Sequence, residues 1–203
     1  MDNIYTNFYD PSDEFQQEES RYFCYEIARE LISKAKHNND WYEDINTTKG
    51  VLLLLFTWNF AARKTKKINF NNTRQLIKDN KNALKILEKY SIENVNEEAW
   101  HLIKNVFEKF KIVFGQTGAS KALSLLNPKL FVMWDTKIRK YLNKEIIPGI
   151  DNGGKTEHYI IFLKGIQKII SDYKLKEKLP PNSIVAKKID EYNYIKIIKN
   201  KKI

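Results

Sequence analysis

Apolar residues return every third or fourth position along nearly the whole chain, and this periodicity restricts the fold more than any other feature. It is clearest from Asn96 to Phe114, where Ala99, Leu102, Ile103, Val106, Phe107 and Phe110 form one stripe. The same spacing links Phe15, Tyr22, Phe23, Ile27, Leu31 and Ala35 in a first helix that dissolves at HNND. A second helix is predicted from about Lys49 through VLLLLFTWNFAAR to Lys66, and a third through TRQLIKDNKNALKILEKY. After the Asn96 helix come a short helix from Ala119 to Leu126, the turn NPKLFVMW, and helices from Asp135 to Asn143, Lys155 to Tyr173 and Pro181 to about Tyr194. Pro11, Pro128, Pro148, Pro180 and Pro181 all fall at the joints, where a missing N–H does least harm. No alternating stretch reads as a convincing strand. The expected class is all-α, a compact multi-helix domain over residues 1–203, divisible into packed halves 1–94 and 95–203.

A chain of 203 residues that is 42% hydrophobic and 30% charged can bury a full core without disulfides or metals. Its 35 Lys and Arg against 25 Asp and Glu leave a formal charge of +10, which attracts polyanions before any contact is specified. DNA is the leading expected partner; an AT-rich coding sequence, which favours Lys, Asn and Ile, is the competing explanation of the excess. Cys24 is the single cysteine and forms no internal disulfide, so a reducing compartment suits the chain. The opening MDNIYTNFYDPSDEFQQEES lacks the order of a signal peptide, and the apolar run Val51 to Phe56 is far short of a membrane span. These features predict a cytoplasmic protein, nucleoid-associated in a prokaryote, with no membrane partner; the oligomeric state is not legible.

The stretch FGQTGASKALSLLNPKLFVMWDTKIRKYL, Phe114 to Leu142, carries the chemistry. Gly115 and Gly118 precede a short helix, so a sharp turn is expected to offer the N–H groups of Ala119, Ser120 and Lys121 to solvent, as phosphate-binding helix N-termini do. A plain tight turn between packed helices is the competing reading. Asp135 follows the apolar run Leu130 to Trp134 and precedes TKIRKYL, the position of an N-cap. A carboxylate held beside apolar walls and near a lysine can also assist bond cleavage at a sugar carbon, and both roles remain open for Asp135.

Hairpin glycines, a lysine at the start of a helix and an Asp capping the next helix together resemble the helix–hairpin–helix DNA glycosylase superfamily. The resemblance covers Phe114 to Leu142 and implies a base-excision enzyme that flips a damaged base from duplex DNA and cleaves its glycosidic bond. In that superfamily the hairpin lysine of bifunctional members is a Schiff-base nucleophile with AP-lyase activity, and the Asp supports the nucleophile and the sugar cation. Carried across, these are Lys121 and Asp135. The DNA contacts implied are Gly115, Gly118, Ala119 and Ser120, flanked by Lys64 and Arg139. Ala119 stands where a second glycine is usual. The connection from Lys121 to Asp135 is also about one helical turn, about 5.4 Å, shorter than the superfamily pattern, which would swing the lysine away from the Asp.

Two aromatics are candidates for a base pocket. Trp58 lies with Asn59 beside Arg63, Lys64, Lys66 and Lys67, the mixture of stacking rings and cations that holds an extruded base. Trp134 adjoins Asp135. A Trp in an apolar helix is core more often than stacking platform, and the same holds for Trp134. His37, His101 and His158 have no Cys or carboxylate at metal-ligand spacing, so no metal is expected, and no glycine-rich motif indicates a nucleotide cofactor. Besides the glycosylase, two further functions fit: a non-catalytic helix–hairpin–helix module that grips nucleic acid, and a cytosolic interaction protein whose charge is compositional.

Overall fold

The computed structural model of the chain describes residues 3–17, 19–58, 66–150 and 155–199. Among them the fold is all-α. The helices are α1 (Ser12–Gln16), α2 (Glu19–Ala35), α3 (Ile45–Trp58), α4 (Phe70–Asp79), α5 (Lys81–Leu87), α6 (Glu97–Leu126), α7 (Thr136–Glu145), α8 (Thr156–Asp172) and α9 (Val185–Asn193), and a π-helical turn, Tyr194–Lys199, continues α9. No strand occurs among the described residues.

Local chemistry sets most of the boundaries. Asn69, Asn96 and Asp135 each take an extended backbone conformation and turn a side-chain oxygen onto an N–H of the following first turn, which satisfies a donor the helix cannot. The stretch expected to form one helix over TRQLIKDNKNALKILEKY is instead α4 and α5, broken at Asn80, whose amide donates to the Leu76 carbonyl. An Asn that bonds nearby backbone competes with helix continuation. The first expected helix is likewise divided into α1 and α2.

The largest departure concerns α6. The stripe from Ala99 to Phe110 is helical and inward-facing, with Ala99, Ile103, Val106, Phe107 and Phe110 buried. The helix does not stop at Phe114. Gly115, at φ 69° and ψ 173°, inserts one non-helical residue, and helix resumes at once over 116–126. That conformation is open to glycine and strained for other residues.

The first arm of α6 packs on α8, where Phe107 stacks on Tyr159 with ring centroids 3.9 Å apart. The second arm is buried nearly all round: Ala119, Ser120, Lys121, Ala122, Leu123, Ser124, Leu125 and Leu126 are all in the interior. A helix apolar on every side is a core helix. Following it and a turn that ends at Leu130, Phe131 to Trp134 runs buried and extended with no sheet to pair it, so its backbone groups must find other partners. The N-terminal residues Ile4 and Tyr5 are tied to α9, with the Tyr5 hydroxyl donating to Asn193 Oδ1 at 2.7 Å and the Tyr192 hydroxyl to the Ile4 carbonyl at 2.6 Å. No helix among the described residues is long and apolar enough to cross a membrane.

Candidate active site

The second arm of α6 brings Lys121 inward. Its side chain is aliphatic for most of its length and can line apolar surface while the amine seeks polar atoms. Lys121 is only 5% exposed; its Nζ donates to the Trp58 carbonyl at the end of α3 and lies 5.9 Å from the centroid of the Trp58 ring. Asp135 is the N-cap of α7, its Oδ1 accepting from Lys137 N at 2.8 Å. These side chains open into one cavity of about 360 Å³, bounded also by Met133, Ile138, Tyr194 and Ile198 and by Lys137 at its rim. The shortened connection from Lys121 to Asp135 therefore does not part them.

A second carboxyl group completes the cavity wall. Asp190 projects from α9 and is half-buried at the cavity wall; Oδ1 accepts from Met133 N at 2.5 Å and Oδ2 accepts from the Ser124 hydroxyl at 3.1 Å. Burial drives its pKa well above the ordinary carboxyl range, opposed by those hydrogen bonds and by the charge of Lys121. Behind it lies a chamber of about 20 Å³ bounded by Phe15, Tyr25, Lys187 and Glu191, room for about one water. Asp190 is not among the residues singled out above from the sequence, although a signal is present there. One helical turn before and after it on the same face stand Ala186 and Tyr194, both buried, so an acidic residue lies within the apolar stripe of an amphipathic helix.

The remaining candidates divide. Trp58 is half-buried among Phe15, Tyr25 and Tyr194, with ring centroids between 5.6 and 5.9 Å, and presents part of its ring to the cavity. Trp134 is not a pocket residue. It is 1% exposed and packed 5.3 Å from both Tyr159 and Phe162, because successive residues of an extended segment face opposite ways and Met133 takes the cavity side. The sharp turn expected over Gly115 and Gly118 lies at Gly115 alone. Gly118, Ala119 and Ser120 are buried inside the helix, so the N–H groups of Ala119, Ser120 and Lys121 serve helix carbonyls and are not offered to a phosphate. Ser120 has an inward role: its Oγ accepts from Trp134 N at 2.9 Å and donates to the Thr117 carbonyl at 3.0 Å.

Gly115 itself is exposed at the start of the second arm. Arg139 is half-buried beside it, donating from Nη1 to Gln116 Oε1 at 2.9 Å, with its guanidinium 5.7 Å from the Trp134 ring centroid. Lys64, with Asn59 and Arg63, lies outside the described residues. Among the described residues no group of His, Cys, Asp and Glu side chains converges as metal ligands would.

The cavity thus joins an amine, two carboxyl groups and an indole face. Such a set can hold a planar polar ligand against aromatic and aliphatic walls, stabilise a cation with a carboxylate, and present a primary amine to an electrophilic carbon. No family model, no curated protein and no solved structure matches the chain.

Proposed function

We propose that the protein is a DNA N-glycosylase that takes an extruded base into the cavity between α3, the second arm of α6, α7 and α9. The observation that carries this reading is the meeting of Lys121, Asp135 and Trp58 around one space of about 360 Å³. Ligand pockets for small molecules run from about 300 to 1,000 Å³. The formal charge of +10 supplies the attraction to a polyanion. The exposed turn at Gly115 with Arg139 offers a place for a backbone phosphate to rest.

In this reading Trp58 stacks on the base and Asp135 stabilises the positive charge that develops on the sugar as the C1′–N bond lengthens. The Lys121 amine, once deprotonated, attacks C1′; the base departs with the bonding pair and takes up a proton, and opening of the sugar ring leaves an imine between Nζ and C1′. Borohydride reduces that imine to a stable amine, which marks the protein covalently on DNA.

Duplexes carrying different base lesions, incubated with and without borohydride, test the reading. Base release is expected from at least one of them. Asp135→Asn, which can still cap α7, is expected to cut release by about 100-fold or more while leaving the fold and DNA affinity nearly unchanged. Lys121→Gln should remove the borohydride adduct. Release without an adduct would retain Asp135 and discard the nucleophilic lysine.

A second reading, a non-catalytic nucleic-acid-binding protein, draws on the occupations of the same groups: Asp135 caps α7 and the Lys121 amine is bonded to the Trp58 carbonyl. Salt-sensitive DNA binding with no base release from any lesion would select it.

A further inference from the structure

Asp190 touches both pieces of backbone that bear the polar groups of the cavity. Through Ser124 it holds the second arm of α6 three residues beyond Lys121; through Met133 N it holds the extended segment two residues before Asp135. That segment has no sheet partner. Its adjacent N–H groups at Met133 and Trp134 are taken by Asp190 from α9 and by Ser120 from α6. A buried N–H left unbonded costs about 1–3 kcal/mol, so these side chains fix the course of the segment as a β-ladder would.

We propose that Asp190 is the positioning residue of this site: its one carboxyl group ties α9 to the arm carrying Lys121 and to the segment carrying Asp135, and so holds the amine and the second carboxyl group across one cavity. The consequence for turnover rests on the base-excision reading; the tie itself does not. Asp190 acts through the residues it holds, and its own oxygens are already occupied by Met133 N and the Ser124 hydroxyl.

The full chain with Asp190→Asn, Asp190→Ala or Ser124→Ala separates this role from others. Asn keeps the geometry, since its amide oxygen accepts from Met133 N and its amide nitrogen donates to the Ser124 oxygen. Ala loses both bonds, and Ser124→Ala loses one. The probe is glycolaldehyde with cyanoborohydride, which alkylates accessible amines, read by peptide mass spectrometry as Lys121 modification relative to the exposed Lys144 of the same molecule. Loss of one buried hydrogen bond shifts a local opening equilibrium by about twofold or more, and loss of two by about fivefold or more. Lys121 labelling is therefore expected to rise about fivefold or more in Asp190→Ala and, in the same direction, about twofold or more in Ser124→Ala. In Asp190→Asn it should stay within about twofold of the parent. On lesion-bearing DNA, kcat should fall in Asp190→Ala with little change in KM and recover in Asp190→Asn.

Unchanged labelling in folded Asp190→Ala overturns the proposal, as does an Asn variant as labile as the Ala variant, which would assign the effect to charge. Should Asp190→Ala fail to fold by circular dichroism, Ser124→Ala decides: labelling equal to the parent overturns the tie. A parent protein that releases no base, with the labelling order kept, removes the base-excision reading and leaves the positioning role standing.

Discussion

Burial raises the proton affinity of Asp190 above that of an Asp in an unfolded chain, and this has a consequence for stability that carries a definite sign. The folded protein holds the proton to a higher pH than the unfolded chain does. From about pH 4, where an unfolded Asp ionises, up through the folded value, stability therefore falls as pH rises, by at most about 1.4 kcal/mol per pH unit from this group, and then levels. Asp190→Asn carries no such titration. Urea unfolding of both proteins from about pH 4.5 to about pH 8 is expected to show the Asn variant gaining on its parent as pH increases; parallel curves would mean that Asp190 is ionised in the fold. At this same scale Asp135 was readable in advance as a cap, because Asp before a helix has a local reason to be there. Asp190 was not, because its partners Met133 and Ser124 are remote in sequence.

Element packing turns on two glycines that look alike in sequence. Gly165 lies within α8, and a Cβ there would stand 2.6 Å from Cδ1, 2.7 Å from Cγ2 and 2.9 Å from Cγ1 of Ile147. Helix propensity favours Ala over Gly by about 1 kcal/mol, but the stiff β-branched Ile147 cannot swing clear. Overpacking costs about 1–3 kcal/mol, so the clash wins and Gly165→Ala should lower stability by about 1–2 kcal/mol. Gly115 meets nothing within 4 Å, yet its φ of 69° is strained for any other residue. Gly115→Ala should lose about 1–3 kcal/mol through the backbone alone. Truncating Ile147 to Ala should relieve the first variant and leave the second untouched, a double-mutant comparison read by thermal unfolding. The sequence signalled a turn over Gly115 and Gly118, and only Gly115 leaves the helix while Gly118 lies inside it. An apolar helix after a glycine reads alike whether it begins at 116 or 119, and only packing against α3 and α9 settles which residues turn inward.

For the whole molecule the informative quantity is charge. With +10 distributed over a body of this size, duplex DNA is expected to bind and to be released by salt, losing about tenfold or more in affinity between about 50 and about 200 mM. Fluorescence anisotropy over that range measures it. A flat response would trace the lysine excess to coding composition. The excess is not spread evenly: on one face Asp40 and Glu43 engage Lys78, Lys81 and Lys85 at distances up to 3.5 Å, so that cluster of paired side chains carries little of it.

The sequence by itself determined the all-α class, the position of most helices and the cap at Asp135, because periodicity and capping act between residues a few positions apart and leave their mark in the local string. It also marked Lys121, Asp135 and Trp58 as candidates. Tertiary structure alone decided that these converge on one cavity, that Met133 rather than Trp134 faces it, that Gly118 to Ser120 lie inside the protein, and that Asp190 reaches across to hold the site. Each of those outcomes depends on which face of one element meets another. Such meetings are settled by the joint packing of side chains far apart in the chain, where many local arrangements of equal propensity compete and burial of the whole core selects among them.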